Sequence, residues 1–83
     1  MATDISALAQ RVQSAVAPND AQVAKLIDVG EPLAAIIDAV EVGAEARATI
    51  SSDLRTEVEA MAATELDPED QQIVSAALAR MTD

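Results

Sequence analysis

Carboxylates are the one chemically active group this chain carries in quantity. Fifteen Asp and Glu stand against five Lys and Arg, with no His and no Cys. Two acids held close can divide general-acid and general-base work, provided burial or a neighbour drives their pKa values apart. Glu57 with Glu65, or Asp28 with Asp38, are the pairs that could meet across helices. Nothing around them marks either pair for burial, and the chain has no His or aromatic ring to perturb them. Glu31, Asp38 and Glu45 recur every seven residues, the spacing of a solvated helix face. No catalytic residue is assigned.

Two further stretches invite a chemical reading. DPEDQQ is rich in oxygen ligands, but a calcium loop of the EF-hand kind needs a central Gly and a distal bidentate Glu, and Pro68 sits where a helix begins. It reads as a helix cap, and no metal site is expected. SSDLRTEVEA superficially resembles the Asp-Ser-Leu motif of acyl carrier proteins, which open a helix with a Ser that takes a phosphopantetheine arm. Here the order is Ser52-Asp53-Leu54, and no Gly directly precedes the motif. The carrier reading, with modification at Ser51 or Ser52, is therefore placed last. Gly30 and Gly43 belong to no phosphate-cradling pattern, so no cofactor is expected. Lys25, Arg47 and Arg55 are read as partners of neighbouring helix-face acids, for instance Arg55 with Glu59.

Charge then limits the partners. The net charge of −10 argues against direct nucleic-acid binding, which needs Lys and Arg to displace counterions from phosphates. It argues equally against an anionic membrane surface, and points to basic protein surfaces. No apolar run approaches the ~20 residues that span a bilayer. MATDIS at the N-terminus has neither the basic region nor the apolar stretch of a secretory signal. The expectation is a cytoplasmic or virion protein, neither secreted nor membrane-inserted.

The elements that would carry these residues follow from apolar spacing. One domain is expected over 1–83, with 51% apolar residues. Nineteen of these are Ala and none is aromatic; six Leu, six Ile, eight Val and three Met supply the bulk. Such a thin aliphatic core suggests that part of the stability comes from oligomerisation or a partner. Thr3 is placed to cap a first helix whose stripe is Ile5, Leu8, Val12 and Val16. Asn19, with Gln22 three residues on, is read as the next cap. Apolar residues then run from Val23 to Val40 straight through Gly30-Glu31-Pro32. We read one helix over about 20–42, kinked near 28–32 by Pro32; the alternative is a short turn with Pro32 at the first helical position.

Gly43 is expected to close that helix in a left-handed cap. Ile50, Leu54, Val58, Met61 and Leu66 mark a further helix, with Ser51 or Ser52 as cap. Asp67-Pro68-Glu69-Asp70 is the clearest helix start in the chain. Ile73 or Val74, Ala77, Leu78 and Met81 form the inner face of the last helix, with Arg80 near its negative end. The fold class is all-α, a small bundle of four or five helices.

The order of these segments carries a resemblance. ISALAQRV as a short first helix, APNDAQVAKLIDVGEPLAAII as a long second one led by Asp20-Ala21-Gln22, and LRTEVEAMAATEL with its Met61-Ala62-Ala63 resemble tailed-phage head–tail connector (adaptor) proteins over about residues 5–66. The resemblance implies a small helical protein that assembles as a ring beneath a portal. It lacks the family's aromatic-containing segment after helix two, and it assigns no functional residue. The expected function is a non-enzymatic structural or interaction protein, a homo-oligomer or part of a larger assembly such as a virion. The alternative is a small acidic regulator or inhibitor of a basic protein. If the chain self-assembles, the face expected to do so carries Val23, Ile27, Leu33, Ile37 and Val40, together with Val74, Leu78 and Met81. The same residues serve equally as the domain's own core. Ala34, Ala35, Ala62, Ala63, Ala76 and Ala77 are read either as close-packing positions or as simple helix formers.

Overall fold

Five α-helices account for most of the chain in a computed structural model that describes residues 4–82. They are α1 (Ile5–Val16), α2 (Ala21–Asp28), α3 (Pro32–Glu45), α4 (Ser52–Glu65) and α5 (Pro68–Ala79). The all-α class agrees with the apolar spacing, and the five helices fall within the expected four or five. None of these helices is long and apolar enough to cross a membrane.

Local side chains start four of the five helices. Asp4 accepts from the Ala7 amide, Asp20 from Val23, Ser51 from Leu54 and Asp67 from Asp70, each filling an orphan donor of a first turn. The expected cap at Thr3 lies outside the described residues. Asn19 was expected to cap the second helix, but Asp20 does so, one residue later.

The expected kinked helix is instead two helices. At its C-terminus α2 closes with the Gly30 amide donating to the Ile27 carbonyl at 3.2 Å and the Glu31 amide to Leu26 at 2.8 Å. Gly30 has φ +80°. This is a Schellman closure with Gly in the left-handed position. Glu31 makes no side-chain cap, and α3 begins directly at Pro32, whose missing N–H would have been an orphan there in any case. The turn wins because Gly30 accepts a positive φ that ends the helix before Pro32 can clash with it.

Gly43 is likewise not a terminator. It lies inside α3, buried, and the closure comes at Arg47, φ 52°. The Arg47 amide donates to Ala44 at 3.1 Å and the Ala48 amide to Gly43 at 2.8 Å. The reason Gly43 is glycine is packing: a Cβ built there would sit 2.7 Å from Val16 Cβ and 3.0 Å from Met81 Sδ.

Helix α3 is the hub, packed against α1, α2 and α5, while α4 closes across α5 and α1. The core holds Leu8, Val12, Val23, Ile36, Val40, Ile50, Val58, Val74 and Leu78, all almost fully buried. Seven core positions are Ala: Ala9, Ala17, Ala35, Ala39, Ala44, Ala62 and Ala77. Small side chains let the helix axes approach, so the aliphatic core is thin but continuous. At the far end a single parallel bridge links Thr49 to Thr82, with the Ile50 amide donating to the Thr82 carbonyl at 2.8 Å.

Candidate interaction surfaces

The residues that suggested chemistry are dispersed by the fold. Glu57 and Glu65 both belong to α4, eight positions and so about 12 Å apart along one axis; they do not meet across helices. Asp28 ends α2 and is exposed, and Asp38 is half-buried midway along α3. Asp67 spends an oxygen on the Asp70 amide at 3.0 Å, and Gln71 donates to the Leu66 carbonyl at 2.8 Å. DPEDQQ is thus a helix start. Among the described residues no three acids gather into a cation-binding group. Ser51 Oγ is 3.2 Å from the Leu54 amide that it caps, and Ser52 is exposed in the first turn of α4.

The electrostatic feature the sequence did not reveal is a bidentate pair between α1 and α4. Arg11 donates through Nη1 to Glu57 Oε1 at 2.9 Å and through Nη2 to Oε2 at 2.6 Å. The hydrogen bonds from Arg11 hold the Glu57 carboxyl below its ordinary value of 4.5, against a smaller opposing desolvation. The same bonds raise the guanidinium. Forty-six residues separate the two in sequence, so no local spacing rule could have found them.

Arg55 was expected to face Glu59. Its guanidinium reaches across to the end of α5, donating to the Leu78 carbonyl at 2.5 Å and the Met81 carbonyl at 2.9 Å. There it adds a donor to carbonyls at the end of α5, the Leu78 carbonyl also accepting from the Met81 amide at 3.1 Å, and its positive charge suits that end of the helix dipole.

Shallow grooves interrupt the surface of the described residues, three of them notable. One of about 610 Å³ runs between α1 and the start of α4, lined by Gln10, Arg11, Ser14, Ser51 and Leu54. One of about 300 Å³ lies where Val16 to Asp20 passes Val42. The third, about 260 Å³, separates α3 from α5 and is lined by Glu41, Ala44, Glu45, Ile73, Ala76, Ala77 and Arg80. In the first groove Arg11 holds Glu57, and Ser51 caps α4.

The residues expected on a self-assembly face divide by depth. Val23, Val40, Val74, Leu78 and Met81 are core, each at most 4% exposed. Ile27, Leu33 and Ile37 are half-buried against that core. Of the six alanines singled out, Ala35, Ala62 and Ala77 are buried, Ala34 is intermediate, and Ala63 and Ala76 face solvent. Among the described residues, the large apolar side chains that are exposed are Val29, at the end of α2, and Ile73, on the outer side of α5.

No protein-family model, no curated protein and no solved structure matches this chain.

Proposed function

We propose that this chain is a non-enzymatic interaction protein, a small helical component of a larger protein assembly. One observation carries the reading: among the described residues no polar or charged side chain is buried. Acid–base or nucleophilic catalysis uses groups whose environment shifts their reactivity. Here the apolar atoms build a core, and the charge is left to face partners. The order of the sequence segments resembles that of phage head–tail connectors, although the long second helix of that resemblance is two helices here, and a virion is the assembly this reading favours.

A specific observation also favours the regulator reading, in which the chain docks on a basic surface. Of the five bases, Arg11 is neutralised by Glu57 and Arg55 is turned onto the α5 carbonyls. The Arg11–Glu57 pair cancels one charge of each sign and leaves the net charge at −10, so acids still far outnumber bases among the groups facing outward. The two readings separate experimentally.

Native mass spectrometry of the protein from its natural source tests them, with intact mass taken in the same run. A fixed complex at the unmodified mass supports the assembly reading. Capture of a basic protein that is lost steeply as salt rises supports the regulator. An unmodified chain that remains alone overturns the assembly reading and leaves the regulator in front, whereas added mass on a peptide containing Ser51 or Ser52 overturns both.

A further inference from the structure

We propose that two copies of this chain pair through the outer side of α5, antiparallel, about a two-fold axis. Glu69, Ile73, Ala76 and Arg80 follow one another at spacings of four, three and four. That is the seam spacing of a two-helix packing, and it places all four on one helix face. All four are exposed, and Ile73 is 38% exposed although it is one of the largest apolar side chains of the helix. The core residues Val74 and Leu78 point the other way.

The stripe is complementary to itself. Ile73 with Ala76, and Glu69 with Arg80, are both centred on the point between Val74 and Ser75. A single two-fold axis at that point sets each Ile73 on the second copy's Ala76, a large side chain against a small one. The same axis sets each Glu69 against the second copy's Arg80, giving two ion pairs at the ends. Reversed register or parallel packing loses this match. Arg80 forms no ion pair with a described residue of its own chain, although Glu41 and Glu45 line the same groove. The alanines Ala44, Ala76 and Ala77 floor that groove and let the second helix approach closely.

The occupant is a second copy because the stripe offers both signs of charge at matching ends. A uniformly basic partner would oppose Arg80. Overall repulsion between two chains of net charge −10 works against pairing while the two end ion pairs work for it, and salt screens both. This inference goes beyond the proposed function and stands separately from it, since it concerns the purified chain alone.

Sedimentation equilibrium of the purified chain, from micromolar to millimolar concentration, tests the pairing. A monomer–dimer equilibrium is expected, and Ile73→Glu should raise the dimer Kd by about tenfold or more. The decisive pair is Glu69→Arg and Arg80→Glu. Each alone puts like charges opposite one another at both ends and should be monomeric. Mixed together, they form two Glu–Arg contacts and should recover a heterodimer. All four positions are exposed, and circular dichroism confirms that each variant folds. A wild-type monomer throughout the range overturns the proposal. So does a dimer that Ile73→Glu leaves unchanged, or a failure of the mixed variants to associate.

Discussion

The backbone of Gly43 passes Val16 so closely that a Cβ at residue 43 would stand 2.7 Å from the Val16 Cβ. The two atoms belong to α3 and α1, and their approach sets how tightly the two helices pack. Neither Cβ can be displaced without moving a backbone, because each is bonded directly to its Cα, and Val16 is buried besides. Gly43→Ala gains about 1 kcal/mol of helix propensity. It also forces overpacking worth about 1–3 kcal/mol. The expected result is a net loss of stability, measured by urea unfolding followed by circular dichroism, since the chain has no Trp or Tyr. An increase in stability would show that α1 moves aside without cost.

Gly30 presents the opposite situation. A Cβ there would meet nothing within 4 Å, but its φ is +80°. Gly30→Ala should therefore lose about 1–2 kcal/mol from backbone strain alone. Asn, which tolerates the left-handed region, should lose less. Equal losses for Ala and Asn in urea titrations would contradict the Schellman closure.

Arg47 holds the equivalent position at the end of α3 with φ 52° and a full side chain. Arg47→Gly removes that strain and should stabilise the fold by up to about 1 kcal/mol. The midpoint of thermal unfolding should rise. A fall would mean that the Arg47 side chain contributes more than the strain it imposes.

Arg55 donates to the Leu78 and Met81 carbonyls. Arg55→Met keeps most of the apolar stem and removes the donors, and should destabilise by about 1–3 kcal/mol. Amide exchange should report faster opening of the last turn of α5 than of α3. Uniform loss of protection across both helices would argue that the contact is not local to the α5 end.

The Arg11–Glu57 pair is expected to add to stability in a pH-dependent way. The folded Glu57 pKa lies below 4.5, so the unfolded chain takes up its proton first as pH falls. The contribution is complete above the unfolded value and fades as pH drops through the lower folded one. The difference in melting temperature between the wild type and Glu57→Gln should be steady near neutrality and shrink below about pH 4.5. Both side chains are about half exposed, so added salt should reduce it too. A difference that persists at low pH would mean that Glu57 acts through packing instead.

The sequence by itself determined the helical class, the apolar inner faces and the helix start at Asp67, and it narrowed another start to Ser51 or Ser52, of which the fold uses Ser51. These depend on contacts within about one turn, where a side-chain oxygen reaches an amide three residues on and apolar residues recur every three or four. The end of α2 was also written locally, as a Gly two residues before Pro. It was masked because α2 and α3 pack on the same core, and an apolar rhythm continues through the turn between them. Tertiary structure alone decided the rest. It made Gly43 a point of helix approach, set Arg47 in a strained cap, joined Arg11 to Glu57, turned Arg55 onto the end of α5, and left Ile73 rather than Val74 facing out. Each of these depends on which helix lies opposite, and that is settled by the joint packing of five apolar faces into one core, not by any residue's neighbours along the chain.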